Sequence, residues 1–291
     1  MAKQRGYKIR TYDAGYDAKK QYEQFMKYIS IGDMAVISIE DEEYLSKMME
    51  AAEEYDAKVI LFGSSPTANI SPSYNQAWYV GFEIFDSGRK QFSMIKKYLE
   101  QHPDFDKNAN GALDVIFLQG MENDFSTHVR TQIIMEGFEK YDIKINPVSY
   151  NYDNYSYSAA YEDVSKQLRI HGINNIEMII ANNDAMALGA VKALNEKKYN
   201  HPYSFFNGHR HLPVFGVDGI SDAIKSVDAG MLTGTAIADY SALSRVIMTI
   251  FENSTSDDFE KIVWFKVDNR TILIPYRAFC KIKDYNALSL K

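Results

Sequence analysis

Short apolar runs alternate with amphipathic stretches along almost the whole chain. Residues 7–12 are strand-like and lead into a helical stretch, DAKKQYEQFMKYIS. Residues 34–39 are the next strand, and EDEEYLSKMMEAAEEYD places its apolar residues near a spacing of 3.6, as a helix with one buried face does. Residues 58–62 form another strand, and a polar loop bearing Pro and Ser runs on to Tyr74. After the strand-like WYVGF the pattern predicts helices over 88–100, 129–140, 160–170, 184–195 and 221–228. Between them lie strands over 113–120, 145–150, 176–181 and 212–218. Strands alternating with helices of this length read as parallel βαβ units, so the expected fold class is α/β with doubly wound parallel sheets.

At 291 residues the chain exceeds what one hydrophobic core usually holds, so two domains are expected, with a change near residues 79–82. No apolar run approaches the ~18 residues of a membrane-spanning helix. Lys and Arg number 32 against 39 Asp and Glu, a net charge of −7 with no basic stripe, which excludes nucleic acid as an expected partner. The lone Cys280 has no disulfide partner and reads as a small buried hydrophobe rather than a nucleophile. The N-terminal residues lack the apolar core of a signal peptide. No glycine-rich nucleotide loop, G-x-S-x-G elbow or H-E-x-x-H motif occurs, and an enzyme is therefore not expected. His201, His209 and His211 lack the acids or Cys that would complete a metal site, and read as a polar surface insertion.

One motif does carry metal chemistry. Asp106, Asn108, Asn110, Gly111 and Asp114 make D-x-N-x-N-G-x-x-D, the first nine positions of a calcium loop. Oxygen side chains at positions one, three and five converge on a hard cation when the glycine at six permits a sharp turn. Ala112 at seven then offers its carbonyl, and Asp114 stands at nine. The glutamate usual at position twelve is absent, because Phe117 occupies it within a strand. Glu177, opening the strand IEMIIA, is placed to complete the shell. The same residues also read as an ordinary polar turn.

The calcium loop, together with IEMIIANNDAMALGAVKAL and LPVFGVDGISDAIKSVDAGMLTGTAIAD, resembles the galactose/glucose-binding proteins of bacterial sugar transport, within the type I periplasmic sugar-binding superfamily. The likeness extends to VDNRTILIPYRAF near the C-terminus. It implies two αβ lobes joined by three hinge crossovers, residues 1–81 with 239–275 and residues 82–238 with 276–291, the second carrying the calcium loop. A sugar would be gripped between the lobes and a structural Ca²⁺ held by Asp106, Asn108, Asn110, Ala112, Asp114 and Glu177. It further implies sugar-binding roles for Asn183 of ANND, Asp218 of FGVD and Arg130 of STHVRTQ. Tyr155 falls where the family has a stacking tryptophan, and Asp124 where it has a pocket histidine. Carboxylates, amides and guanidinium groups suit adjacent hydroxyls, and an aromatic face suits the C–H side of a sugar ring. Each residue has a plainer alternative: Asn183 and Asp218 as helix caps, Arg130 as a solvated helix residue, Tyr155 as one of many surface tyrosines.

The sequence departs from the family at Ser126, Gly63 and Ala238, which stand where pocket aspartate and asparagines are expected. The resemblance also places Met1 inside the family's first helix, so the first strand and most of that helix are expected to be absent. Weak glucose binding and exposed strand edges would follow. The implied function is an extracytoplasmic solute-binding protein that delivers a monosaccharide to an ABC transporter permease, with a chemoreceptor as a further partner. The alternative is the ligand-sensing domain of a repressor or sensor kinase.

Overall fold

The computed structural model describes residues 2–31, 34–38, 42–63, 74–202 and 210–283. The chain divides into two compact units, Met1–Glu83 with Asp239–Ile274 and Ile84–Ala238 with Pro275–Lys291, and passes between them three times.

The first unit is built on a sheet of β1 (Met34–Ser38), β2 (Lys58–Gly63), β3 (Ala77–Phe82), β10 (Thr271–Ile274) and β9 (Val267–Asp268), in that spatial order. All neighbours are parallel except β9, which runs antiparallel to β10. Strands in a buried parallel sheet must be apolar on both faces, and β2 and β3 are: VIL and AWYVGF are buried or nearly so. One face packs on α1 (Ala18–Tyr28) and α2 (Glu42–Glu54), whose Phe25, Leu45, Met48 and Ala52 join Val59, Leu61, Ala77 and Tyr79 in one core cluster. α8 (Tyr240–Asn253) and α9 (Phe259–Val263) also belong to this unit, with Phe259 set edge-on to Trp78.

The second unit carries six strands: β4 (Leu113–Gln119), β5 (Ile145–Tyr152), β6 (Met178–Ala181), β7 (Val214–Asp218), β8 (Gly234–Ile237) and β11 (Arg277–Cys280). Their order is β11-β8-β7-β6-β4-β5, parallel throughout except for β11. Ile116, Leu118, Ile179, Ala181 and Val214 face a cluster completed by α5 (Tyr157–Ile170) and α6 (Asp184–Glu196). Phe215, one residue out of phase with Val214, meets Tyr98 of α3 (Ile84–Gln101) instead. Alternate residues thus serve opposite faces, as a pleated strand requires, and the sheet is doubly wound. α4 (Phe125–Lys140) lies beside α3, where Phe92 meets Phe138 edge-on. α7 (Ser221–Asp228) completes the unit.

The strand order fixes where ligand chemistry belongs. From β4 the chain goes outward to β5, then returns to β6 on the other side of β4. Connections leave in opposite directions at the carboxyl ends of β4 and β6, and such switch points are where open α/β sheets bind ligands.

One expectation needs correction. Residues 7–12 form no strand: Tyr7, Ile9 and Tyr12 are exposed, and no described strand pairs with them. The α/β class with two mostly parallel sheets is as expected, β9 and β11 alone returning antiparallel at the edges among the described strands.

Candidate ligand-binding site

The segments leaving the carboxyl ends of β4, β5, β6 and β7 carry the candidate residues of the second unit. Asp124 caps α4, its Oδ1 accepting from the Ser126 amide at 2.8 Å while Oδ2 accepts from the Tyr155 hydroxyl at 2.7 Å. That hydroxyl also shares a hydrogen bond with Thr127 Oγ1 at 2.8 Å. The Tyr155 ring lies so close to Gly120 that a Cβ there would stand 2.1 Å from its Cζ, so the turn after β4 can hold only glycine beneath this ring. Burial, foremost, keeps the Tyr155 hydroxyl protonated.

Asn183 caps α6 by accepting from the Met186 amide at 3.0 Å, and its Nδ2 approaches the Tyr155 carbonyl at 3.5 Å. Here the capping alternative is observed, and it leaves a second lone pair and a donor hydrogen for other partners. Asp218 is not a cap. It ends β7 at a φ of 113°, a conformation that L residues rarely adopt, and its Oδ1 accepts from Arg130 Nη2 at 3.3 Å. Arg130 is no solvated helix residue either: it is only 6% exposed. Its Nη1 donates to the Asn182 carbonyl at 2.6 Å and its Nη2 also reaches the Tyr276 hydroxyl at 3.3 Å, while Nε finds no partner among the described residues. Burial opposes the charge on Arg130, but Asp218, Tyr276 and Tyr155 more than offset it, and the group stays ionised. For Asp218, burial raises the pKa and Arg130 opposes the rise.

Asn182 links these parts. Its Oδ1 accepts from the Gly120 amide at 3.0 Å, its Nδ2 donates to Thr131 Oγ1 at 3.1 Å, and its carbonyl takes Arg130. The five candidates thus fall into two hydrogen-bonded groups, Arg130 with Asp218 and Asp124 with Tyr155 and Asn183, which adjoin where Asn182 precedes Asn183. Sequence reasoning missed Asn182, Asp184 and Tyr276. The first two lie inside the quoted ANND motif, and Tyr276 lies in the C-terminal segment that carried the resemblance.

The calcium-loop residues are also gathered, around hydrogen bonds of their own. Asp106 accepts from the amides of Asn110 at 3.0 Å and Gly111 at 2.9 Å, and Asn110 Oδ1 accepts from the Ala112 amide at 2.9 Å. Asp114, 2% exposed, takes the side-chain amides of Asn108 at 2.6 Å, Asn110 at 2.8 Å and Asn146 at 2.6 Å. Glu177, 3% exposed, accepts from the Lys107 and Asp114 amides. Among the described residues no three His, Cys, Asp or Glu side chains converge as a metal-binding group. The donor set still fits a hard cation, being oxygen-rich with two carboxylates almost fully buried. The Oδ1 atoms of Asn108 and Asn110 are taken by the Asn110 and Ala112 amides, and their Nδ2 groups point at Asp114.

Of the three histidines, His209 lies outside the described residues and His201 is exposed. His211 is only partly exposed: its Nε2 meets Thr233 Oγ1 at 3.0 Å, and burial pushes its pKa down to about 3. Burial pushes the Cys280 thiol up to about 11, consistent with an unreactive group.

Carboxylate, guanidinium and amide groups gathered in the segments that follow the strands make a donor and acceptor set suited to a small polar molecule. The chain belongs to the periplasmic binding protein domain family, whose sequence profile matches residues 1–253. It is 27% identical over 274 residues to the D-galactose/methyl-galactoside binding periplasmic protein MglB of Haemophilus influenzae, covering 93% of this chain and 79% of that one. A solved ABC-transporter solute-binding protein of Actinobacillus succinogenes, with bound D-allose, matches with a TM-score of 0.70 at 20% identity over 96% of this chain and 89% of its own. The binding component of the arabinose ABC transporter from Shewanella, bound to L-arabinofuranose, matches with a TM-score of 0.70 at 19% identity over 96% and 83%. By their names the first is a sugar-binding periplasmic protein, and the other two are sugar-bound solute-binding proteins of ABC transporters. No described helix is long and apolar enough to cross a membrane.

Proposed function

We propose that this chain binds a monosaccharide or closely related polyol through Asp218, Arg130 and Asn183, with Asp124 and Tyr155 beside them, and delivers it to an ABC transporter permease outside the cytoplasm. The observation that supports this most is the buried Arg130 held against Asp218 at the end of β7, with an Nε–H that has no partner among the described residues. Asp218 accepts from two adjacent hydroxyls, and Arg130 donates to a ring or hydroxyl oxygen without losing its carboxylate partner. The relatives bind galactose, allose and arabinose by name, so the ligand class is supported more strongly than any one sugar.

Calorimetry against a panel of hexoses, pentoses and polyols tests the proposal. Saturable binding of at least one sugar is expected, weakened at least tenfold by Asp218→Ala, since a hydrogen bond to a charged group is worth about 1.5–3 kcal/mol. Absence of binding across the panel, or an unchanged affinity in Asp218→Ala, would contradict it.

We further infer that the loop at residues 106–114 with Glu177 takes one structural Ca²⁺. Asp106, Asn108, Asn110, Asp114 and Glu177 would supply side-chain oxygens, and Ala112 its carbonyl. An ion that binds only the folded state stabilises it. Excess Ca²⁺ should raise the melting temperature of EGTA-stripped protein by several degrees, and Asp106→Ala should abolish the rise. An unchanged melting temperature would exclude the site.

A further inference from the structure

Asp184 has no solvent exposure and occupies the first turn of α6, where an acidic side chain ordinarily faces the helix dipole. Its carboxylate is engaged elsewhere. Oδ2 accepts from the amides of Gly219 at 2.7 Å and Ile220 at 2.9 Å, the two residues that follow Asp218. Oδ1 accepts from Thr235 Oγ1 of β8 at 2.7 Å. Space for the carboxylate exists because β7 carries a glycine alongside it: a Cβ on Gly216 would stand 2.2 Å from Asp184 Oδ1.

What this grip fixes is an unfavourable turn. Asp218 at φ 113° and Gly219 at φ 72° follow one another, and only the second is a glycine. A non-glycine residue in such a region costs on the order of 1–3 kcal/mol and persists only where its surroundings hold it. On one side the Ala238 amide donates to the Asp218 carbonyl at 3.0 Å. On the other, Asp184 holds the two amides that follow. Asp218 itself faces Arg130, so the turn's conformation sets where its carboxylate lies.

We propose that Asp184 is a positioning residue of the ligand site, which by gripping the Gly219 and Ile220 amides holds the Asp218 carboxylate against Arg130. This proposal rests on the ligand-binding reading of Asp218 and deepens it. It assigns Asp184 no contact with the ligand.

Three variants of the full chain test it: Asp184→Ala, Asp184→Asn and Gly216→Ala. Crystal structures supply the φ of Asp218 and the Arg130–Asp218 separation, and calorimetry supplies the dissociation constant for the sugar the wild type binds best. In Asp184→Ala the Asp218 φ should become negative, the Arg130 Nη2 to Asp218 Oδ1 separation should exceed 4 Å, and affinity should fall at least tenfold. Asp184→Asn keeps an acceptor for the two amides and should restore both the geometry and, within threefold, the affinity. That rescue separates positioning from general loss of stability, which would leave the Asp218 φ unmoved. Gly216→Ala displaces the carboxylate without removing it and decides the matter if the alanine variant does not fold. Retention of both the Asp218 φ and the Arg130 contact in Asp184→Ala, or in Gly216→Ala when that variant stands in for it, overturns the proposal. If the wild type binds no sugar on the panel, the proposed function fails, while φ and the separation still decide whether Asp184 positions Asp218.

Discussion

Asp184 illustrates how one buried carboxylate reports on its surroundings. Burial is the largest influence and raises its pKa to about 7; the Thr235 hydrogen bond lowers it, the charge of Asp218 raises it, and the Ile220 and Gly219 amides lower it. The folded state therefore holds a proton on Asp184 between the ordinary aspartate pKa near 4 and about 7, where the unfolded chain has released it. Stability from this group is fully present below pH 4 and is lost as pH rises through 7. Asp184→Asn carries no such proton, so its melting temperature should gain on the wild type between pH 5 and pH 8, by roughly 2–4 °C for each kcal/mol involved. A difference that stays constant over that range would show that Asp184 does not titrate there. None of this was legible in the sequence, where Asp184 stands in ANND as an acidic residue at a helix start. Its partners lie 35 to 51 positions away in sequence and meet it only through the turn after β7 and through β8. Arg130, Asn183 and Asp218 entered as candidates because short motifs carried them. Asn182, one position from Asn183, did not, since its role is to join Gly120 to Arg130.

The elements show why periodicity worked in some places and failed in others. Strands β2, β4, β6 and β7 are short apolar runs bounded by polar turns, and burial on both faces makes such runs unambiguous. Residues 7–12 carry a comparable apolar content, yet Ile9 is 51% exposed and the segment has no strand beside it among the described residues. A strand needs neighbours for its backbone groups, and composition alone does not supply them. The antiparallel edges β9 and β11 are two and four residues long, too short for alternation to mark them. The turn after β4 offers an element-scale prediction. Gly120→Ala would set a methyl group against the Tyr155 ring and Thr127 Oγ1 at distances of 2.1–2.3 Å. The ring must move, breaking its hydrogen bond to Asp124. Chemical denaturation should reveal a loss of about 1–3 kcal/mol, as for other overpacked sites, and sugar affinity should fall with it. Wild-type stability in Gly120→Ala would show that Tyr155 is not held by this contact.

At the scale of the whole molecule, the chain is two αβ units of one construction, each a mostly parallel sheet with an antiparallel edge strand. In the second, the order β4-β5 outward and β6-β7-β8 back sets the carboxyl ends of β4, β6 and β7 as the places from which Arg130, Asn183 and Asp218 are presented. Fold class and family were readable from the alternation of elements and from ANND and FGVD. The identity of the sugar was not, because it depends on hydroxyl-by-hydroxyl geometry that residue type alone does not encode. The most direct measurement of the central claim is a crystal structure of the protein with the tightest-binding sugar of the panel. Ring hydroxyls are expected within about 3.2 Å of Asp218 Oδ, Arg130 and Asn183 at once, in the hydrogen-bonding range for such groups. A sugar bound elsewhere, with the Arg130–Asp218 pair untouched, would contradict it.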